Sequence, residues 1–461
     1  MTISSFEGLL PSTERALLHR IATAQAEGRA PSLVGAVARN GRMVWTGSRG
    51  GDVAGAVPGD DTQYRVGSIT KTFTAVLVMR LRDEGLLDLD DPLERHLPKT
   101  GVGEVTVAQL LGHSAGLAAE SPSPWWERTP GSLRPELADV LGEEPLLHSP
   151  GRRHHYSNTG YTLLGSLIEA VRGVSWEQAL RAEILEPLGL GRTTLRPVAP
   201  YAQGWAVHPW ADAVLPEPQE DLGLMAPAGQ LWSTAGDLCR FAAFLAAGDD
   251  RVLSAGSVEE MRTAAVPPTP GDWDAGYGLG VQLMRRDGRT FTGHSGSLPG
   301  FVAGMWMSVD DGLAAVVLAN ATSGPMPGVV ASDLVRIVAE AEPRLPEPWR
   351  PLPDVSPSLL ALAGPWYWGT YTYGLWLTGD GGVELRPLRG SGRGSRFRAQ
   401  ADGTWVGLDG YYAGEILKVV RRVDGSVSHL DLGSFVFTRE PYEPGDAVPG
   451  GVDEGGWRGS R

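Results

Sequence analysis

Ser68-Ile69-Thr70-Lys71 opens the apolar run Thr72-Phe73-Thr74-Ala75-Val76-Leu77-Val78-Met79, which reads as a helix from Thr72 to Glu84 that ends at Gly85. With the helix starting at the serine, Ser68 and Lys71 project from one face. The helix N-terminus also favours negative charge developing on Ser68. A hydroxyl is a poor nucleophile until a neighbour takes its proton, and a lysine can do so only if burial or nearby positive charge lowers its pKa. The apolar flank of Phe73, Ala75, Val76, Val78 and Met79 supplies such burial.

Two stretches far downstream extend this constellation. In Tyr156-Ser157-Asn158, read as extended, Tyr156 and Asn158 point the same way. Tyr156 is expected to act as base toward Ser68 and as acid toward a leaving group, its phenolate supported by Lys71 and His294. The Asn158 amide either binds a substrate carbonyl or holds Lys71. His294-Ser295-Gly296 follows a strand at Thr290 to Thr292. Ser295 and Gly296 are expected to line the substrate, since a glycine lets substrate approach the strand backbone. The Ser297 N–H is expected to pair with the Ser68 N–H as an oxyanion hole. Each motif alone is common by chance; their order along one chain carries the reading.

The 461 residues are 42% hydrophobic, enough for one large domain and a smaller one. A net charge of −14 argues against nucleic acid or an anionic membrane surface as the main partner. Cys239 is the single cysteine, so no intrachain disulfide forms, and its helical setting reads as a buried small hydrophobe. Met1 to Leu18 lacks the pattern of a signal peptide, and no run is long and apolar enough to span a bilayer; a cytoplasmic protein is expected. No cofactor is called for. His154-His155 has no matching ligand spacing elsewhere and H-E-x-x-H is absent, so no metal site is expected.

Pro11 to Ala26 reads as an amphipathic helix, and Leu33–Arg39 and Met43–Thr46 as a hairpin turning at Asn40-Gly41. Helices follow at Thr106–Leu111, Tyr161–Arg172, Trp176–Leu185 and Ala235–Ala247. Strands return at Tyr277–Met284, Thr290–Thr292, Phe301–Val309 and Leu313–Ala319, with a closing helix at Val329–Ala341. Strands at both ends with helices between them predict an α+β fold, in which one antiparallel sheet built from both ends is flanked by helices beside a helical subdomain. Residues 1–341 form this catalytic domain, 342–357 a proline-rich linker, 358–442 a small antiparallel β domain, and 443–461 a loose tail.

Gly112-His113-Ser114-Ala115-Gly116 fits the G-x-S-x-G pattern, but that motif needs a strand before it and a helix after it. A short helix precedes it here, so Ser114 is not read as the nucleophile. Trp125-Trp126 reads equally as a border of the cleft or as a loop anchor.

Ser68 to Lys71, Tyr156 to Asn158 and His294 to Gly296 resemble the motifs of the serine β-lactamase and D-alanyl-D-alanine peptidase superfamily, in particular its class C branch. The likeness covers roughly residues 10 to 340 and takes in Leu110–Leu117 and Ser233–Leu238. It implies Ser68 as the acylated nucleophile, Lys71 and Tyr156 as acid/base partners, and Asn158 as a lysine or substrate contact. His294 stands where many members carry the lysine of a K-T-G triplet, and His-x-Gly variants look more like D,D-peptidases, D-amino-acid amidases and esterases than β-lactamases. The C-terminal part resembles the lipocalin-like barrel that some members append, among them enzymes that cyclise or release peptides. The expected activity is hydrolysis of an ester or amide in a small-molecule or peptide substrate through an acyl-enzyme. The alternatives are a peptide cyclase or ligase using the same acyl-enzyme, and a β-lactam or peptide sensor without turnover. The oligomeric state is left open.

Overall fold

The computed structural model describes residues 8–51, 57–266, 274–346, 348–352, 354–379, 381–443 and 445–449. Most of the expected loose tail, Pro353 of the proline-rich stretch, and Met1–Glu7 lie outside them. The chain divides into two units, one ending at Arg344 and the other beginning at Leu345.

The first unit begins with helix α1 (Pro11–Glu27) and the hairpin β1 (Ser32–Arg39) and β2 (Arg42–Gly50). Asn40 and Gly41 turn it at φ 49° and 80°, the left-handed pair that a two-residue turn between right-twisted strands requires. Helices α2 (Thr70–Asp83), α3 (Asn158–Arg172) and α4 (Ala235–Ala247) occupy the middle of the chain. Strands β3 (Ala275–Tyr277), β4 (Gln282–Arg286), β5 (Arg289–Leu298), β6 (Phe301–Ser308) and β7 (Leu313–Ala319) follow, then α5 (Pro327–Ala341).

These strands form one antiparallel sheet in the order β2-β1-β7-β6-β5-β4-β3. The first strands join the last: Leu33 pairs with Ala319 and Arg39 with Leu313. Alternate residues of β1 face opposite layers. Leu33 and Val37 pack with Leu17 and Ile21 of α1 and Leu334 and Val338 of α5. Val34, Ala36 and Ala38 belong to the larger core, with Phe241 and Leu245 of α4 and the apolar side of α2. Helices thus cover both faces, and β7 is buried throughout.

Three expectations shift. The strand expected to end at Thr292 runs on to Leu298, because Phe301–Met307 of β6 pair with it all the way. Its Gly293-His294-Ser295-Gly296-Ser297 segment carries no apolar alternation, so hydrophobic pattern could not detect it. The strand expected over Tyr277–Met284 breaks between β3 and β4, where Gly280 (φ 79°) presses onto α2. There the Gly280 carbonyl accepts the Thr72 hydroxyl at 2.8 Å. Finally, α3 starts at Asn158, since the Ser157 hydroxyl accepts the Gly160 N–H at 3.0 Å as a helix cap. Tyr156 and Asn158 therefore do not share an extended stretch.

The second unit is a meander of β8 (Gly364–Trp368), β9 (Tyr371–Leu377), β10 (Val383–Pro387), β11 (Ser395–Ala399), β12 (Trp405–Gly407), β13 (Ile416–Arg421), β14 (Val427–Leu432) and β15 (Phe435–Phe437). Each strand pairs with the next. Tyr367 and Thr438 exchange N–H···O bonds of 2.8 and 2.9 Å between the two ends of the meander, so the sheet is a nearly closed, lipocalin-like barrel. Its interior is filled by Trp366, Tyr373, Leu385, Phe397, Trp405, Leu417 and Phe437. No helix among the described residues is long and apolar enough to cross a membrane.

A Cβ on Gly280 would lie 2.1 Å from the Ala75 Cβ. Gly280→Val is therefore expected to lower stability by about 1–3 kcal/mol through overpacking. Denaturant titration against wild type checks this, and an unchanged midpoint would mean that the β3–β4 turn does not bear on α2.

Candidate active site

Ser68 lies in the single tight turn Gly67–Ile69 that leads into α2, and it is the one residue from Gln63 through Met79 that is not buried. One turn on, Lys71 is fully buried. Its Nζ lies 2.6 Å from Asn158 Oδ1, 2.7 Å from the Ala228 carbonyl and 3.0 Å from Ser68 Oγ. Burial lowers its pKa to about 7, against the opposing pull of the Glu120 and Glu127 carboxylates. Two fixed carbonyl oxygens take two N–H groups, so the remaining valence of the nitrogen faces Ser68.

Asn158 owes its orientation to a residue that sequence reading missed. Its Nδ2 donates to both carboxylate oxygens of Glu120, at 2.9 and 3.0 Å, and a carboxylate can only accept. That turns Oδ1 onto Lys71, so of the two roles foreseen for Asn158 the geometry matches the lysine contact. Glu120 also accepts the Trp126 indole N–H at 2.7 Å. Trp126 is thus a buried loop anchor, while Trp125 stays exposed.

The Tyr156 ring lies beside the cleft, its centroid 5.0 Å from Lys71 Nζ. Burial holds its hydroxyl well above the ordinary phenol range, with the adjacent Ser68 hydroxyl opposing. His294 sits behind it, ring centroids 6.3 Å apart, and does not line the cleft around Ser68. Burial first, and Lys71 second, push the His294 pKa down to about 3. Neutral His294 accepts the Tyr277 hydroxyl at Nε2 (3.0 Å) and donates from Nδ1 to the Ser295 carbonyl (2.6 Å). It supplies no positive charge, so of the two supports expected for a Tyr156 phenolate, Lys71 and His294, the structure leaves Lys71.

Strand β5 completes the site. Its pairing with β4 stops at Gln282 opposite Gly293, which opens the edge beyond. There the Ser295 N–H donates to Gln282 Oε1 at 3.0 Å, and the Ser297 N–H, two residues on, projects from the same edge. Two glycines bring this edge against the serine turn. A Cβ on Gly296 would lie 2.0 Å from the Val66 carbonyl oxygen and 2.9 Å from Ser68 N; one on Gly67 would lie 2.7 Å from Ser297 N. Ser68, Tyr156, Gln282, Ser295, Gly296, Ser297, Val302 and Pro327 line a cleft of about 420 Å³. An adjoining space of about 340 Å³ shares Tyr156 and Gln282 and reaches His154, Tyr277 and Trp306.

Thus Ser68, Lys71, Tyr156, Asn158, Ser295, Gly296 and Ser297 converge, with His294 one layer behind. Glu120, Gln282 and Tyr277 join them without any local sequence signal. Ser114 is buried after the helix Val107–Leu111, away from any strand-to-helix elbow. Cys239 is buried in α4, which pushes its thiol up to about 12. Among the described residues, no three His, Cys, Asp or Glu side chains converge as a metal site requires.

The Beta-lactamase family model matches residues 17–340, and a model described as a domain of unknown function (DUF7586) matches residues 355–439. Penicillin-binding protein 4 of Amycolatopsis lactamdurans is 31% identical over 327 residues, which cover 66% of this chain and 84% of that protein. Two other curated relatives are matched over only 66% and 43% of their own length. Among solved structures, an octameric penicillin-binding protein homologue from Pyrococcus abyssi superposes with a TM-score of 0.63 at 25% identity, covering 92% of this chain and 99% of that one. A D-stereospecific amidohydrolase from Streptomyces sp. gives 0.58 at 30% identity, covering 72% of this chain and 99% of that one.

Gly296→Ala must push β5 away from Ser68. If the Ser68 and Ser297 N–H groups form the oxyanion hole expected from the sequence, the substitution is expected to slow any turnover of p-nitrophenyl acetate roughly 100- to 1000-fold, the typical effect of losing one donor, with circular dichroism unchanged. A rate near wild type would mean that the two N–H groups do not act together.

Proposed function

The chain belongs to the β-lactamase family, and we propose that it is a serine hydrolase that cleaves an ester or amide through an acyl-enzyme on Ser68. The observation that carries this reading is the 3.0 Å approach of a fully buried lysine, its pKa near 7, to the one accessible hydroxyl of the turn. Neutral Lys71 takes the Ser68 proton as Oγ attacks the substrate carbonyl. The developing oxyanion is received by the Ser68 and Ser297 N–H groups. Tyr156, kept protonated by burial, passes its proton to the leaving group while the proton held by Lys71 replaces it. Water then attacks the acyl-enzyme, with the proton flow reversed. Asn158, held by Glu120, fixes Lys71, and His294 acts as a positioning residue through Tyr277. The likeness to an amidohydrolase named D-stereospecific supports D-configured acyl groups as the first to try.

Whichever of a p-nitrophenyl ester, nitrocefin, a D-alanyl-D-alanine peptide and a D-amino-acid amide the wild type hydrolyses, that hydrolysis is expected to vanish in Ser68→Ala. Tyr156→Phe is expected to slow acylation roughly 100- to 10,000-fold. Activity surviving Ser68→Ala would sink the proposal, and near-normal acylation in Tyr156→Phe would remove the tyrosine from the mechanism. Product masses in the presence of an amine separate hydrolysis from ligation or cyclisation.

Because only unprotonated Lys71 can accept a proton, kcat/KM is expected to rise with pH through about 7 and to level off above. Lys71→Arg, which stays protonated, is expected to lose this activity at every pH. A profile flat from pH 5 to 9 in wild type would rule out Lys71 as the base.

A further inference from the structure

Gln282 stands where the two parts of the cleft meet and lines both of them. Its Oε1 is committed to the Ser295 N–H, which leaves the two Nε2 hydrogens to face the cleft as donors. Among the described residues, neither lining set includes a lysine, arginine, aspartate or glutamate, and the one histidine, His154, has its pKa lowered by burial, which favours the neutral imidazole whose Nε2 has no hydrogen-bond partner. His294 turns both ring nitrogens to protein partners, and Lys71 is closed off by Asn158, Ala228 and Ser68. The charges acting on Lys71 from outside are the carboxylates of Glu120 and Glu127. Tyr156, the proposed proton donor to the leaving group, shares both walls with Gln282, which makes this wall the leaving-group side.

A carboxylate brought into such a space loses its water and meets neutral donors, with no lysine or arginine among the described lining residues. An uncharged carbonyl loses little and gains the amide donor. We infer that the leaving-group side of this cleft takes uncharged leaving groups and disfavours carboxylate-bearing ones, with Gln282 Nε2 as the specificity-determining donor. This rests on the serine-hydrolase reading. It makes simple esters and amides, rather than peptides ending in a free carboxylate, the substrate class.

The test compares S-acetylthioglycolamide with S-acetylthioglycolate, which share an acetyl group and differ in carboxamide against carboxylate. Each kcat/KM is divided by the rate of spontaneous hydrolysis. The amide is expected to be preferred at least about tenfold, the size of one hydrogen bond to an otherwise unpaired group. Gln282→Ala is expected to reduce that preference chiefly through KM, and Gln282→Lys to reverse it. Equal ratios, a preference for the carboxylate, or no turnover of the amide by a protein that hydrolyses p-nitrophenyl acetate would overturn the inference while leaving the Ser68 mechanism standing. Turnover that persists in Ser68→Ala would instead overturn the mechanism.

Discussion

A lysine side chain without solvent contact is the constraint around which the first unit is arranged. Burying an amine with unpaired hydrogens is costly, so Lys71 requires acceptors at fixed positions. They come from separate parts of the chain. Ser68 Oγ comes from the turn before α2, Asn158 Oδ1 from the first turn of α3, and the Ala228 carbonyl from the short helix Ala226–Gly229. Each acceptor has its own support: Ser157 caps α3, Glu120 orients Asn158, and the Thr74 hydroxyl ties α2 to the Pro227 carbonyl at 2.8 Å. Helices distant in sequence are thereby held in one register, and burial that would otherwise only destabilise yields an amine able to shed its proton near neutrality.

The second requirement is proximity of two backbones. Strand β5 can meet the Gly67–Ile69 turn only because Gly67 and Gly296 lack side chains. The sheet supplies the rigidity: β6 pairs with β5 to its end, whereas β4 stops short and leaves one edge to the cleft. A single strand is therefore structural along one edge and part of the site along the other.

The motifs and the sheet joined from both ends were legible because they rest on local rules: serine-lysine spacing at a helix start, Asn40-Gly41 as a turn, and apolar alternation in β1, β6 and β7. What escaped depends on distant neighbours. The polar end of β5 is a strand by virtue of β6, and Ser395–Ala399 is a strand although Phe397 is its only large apolar residue. Glu120 and Gln282 act through partners far along the chain. The charge states of Tyr156 and His294 are consequences of burial, which no spacing reveals.

The pairing of β1 with β7 also bears on how this chain acquires its fold. The hairpin at the start of the unit leaves the ribosome long before its sheet partner at Leu313–Ala319 exists. Until then, the edge of β1 that β7 will cover is an unpaired apolar ladder, of the kind that recruits other chains. Closing so long a loop is entropically slow, so this one distant pairing, in a sheet whose other neighbouring strands follow each other in sequence, forms late. Synthesis of this unit therefore carries a window of aggregation that ends only when its penultimate stretch emerges, and chaperone demand should track that moment rather than the appearance of the serine motif.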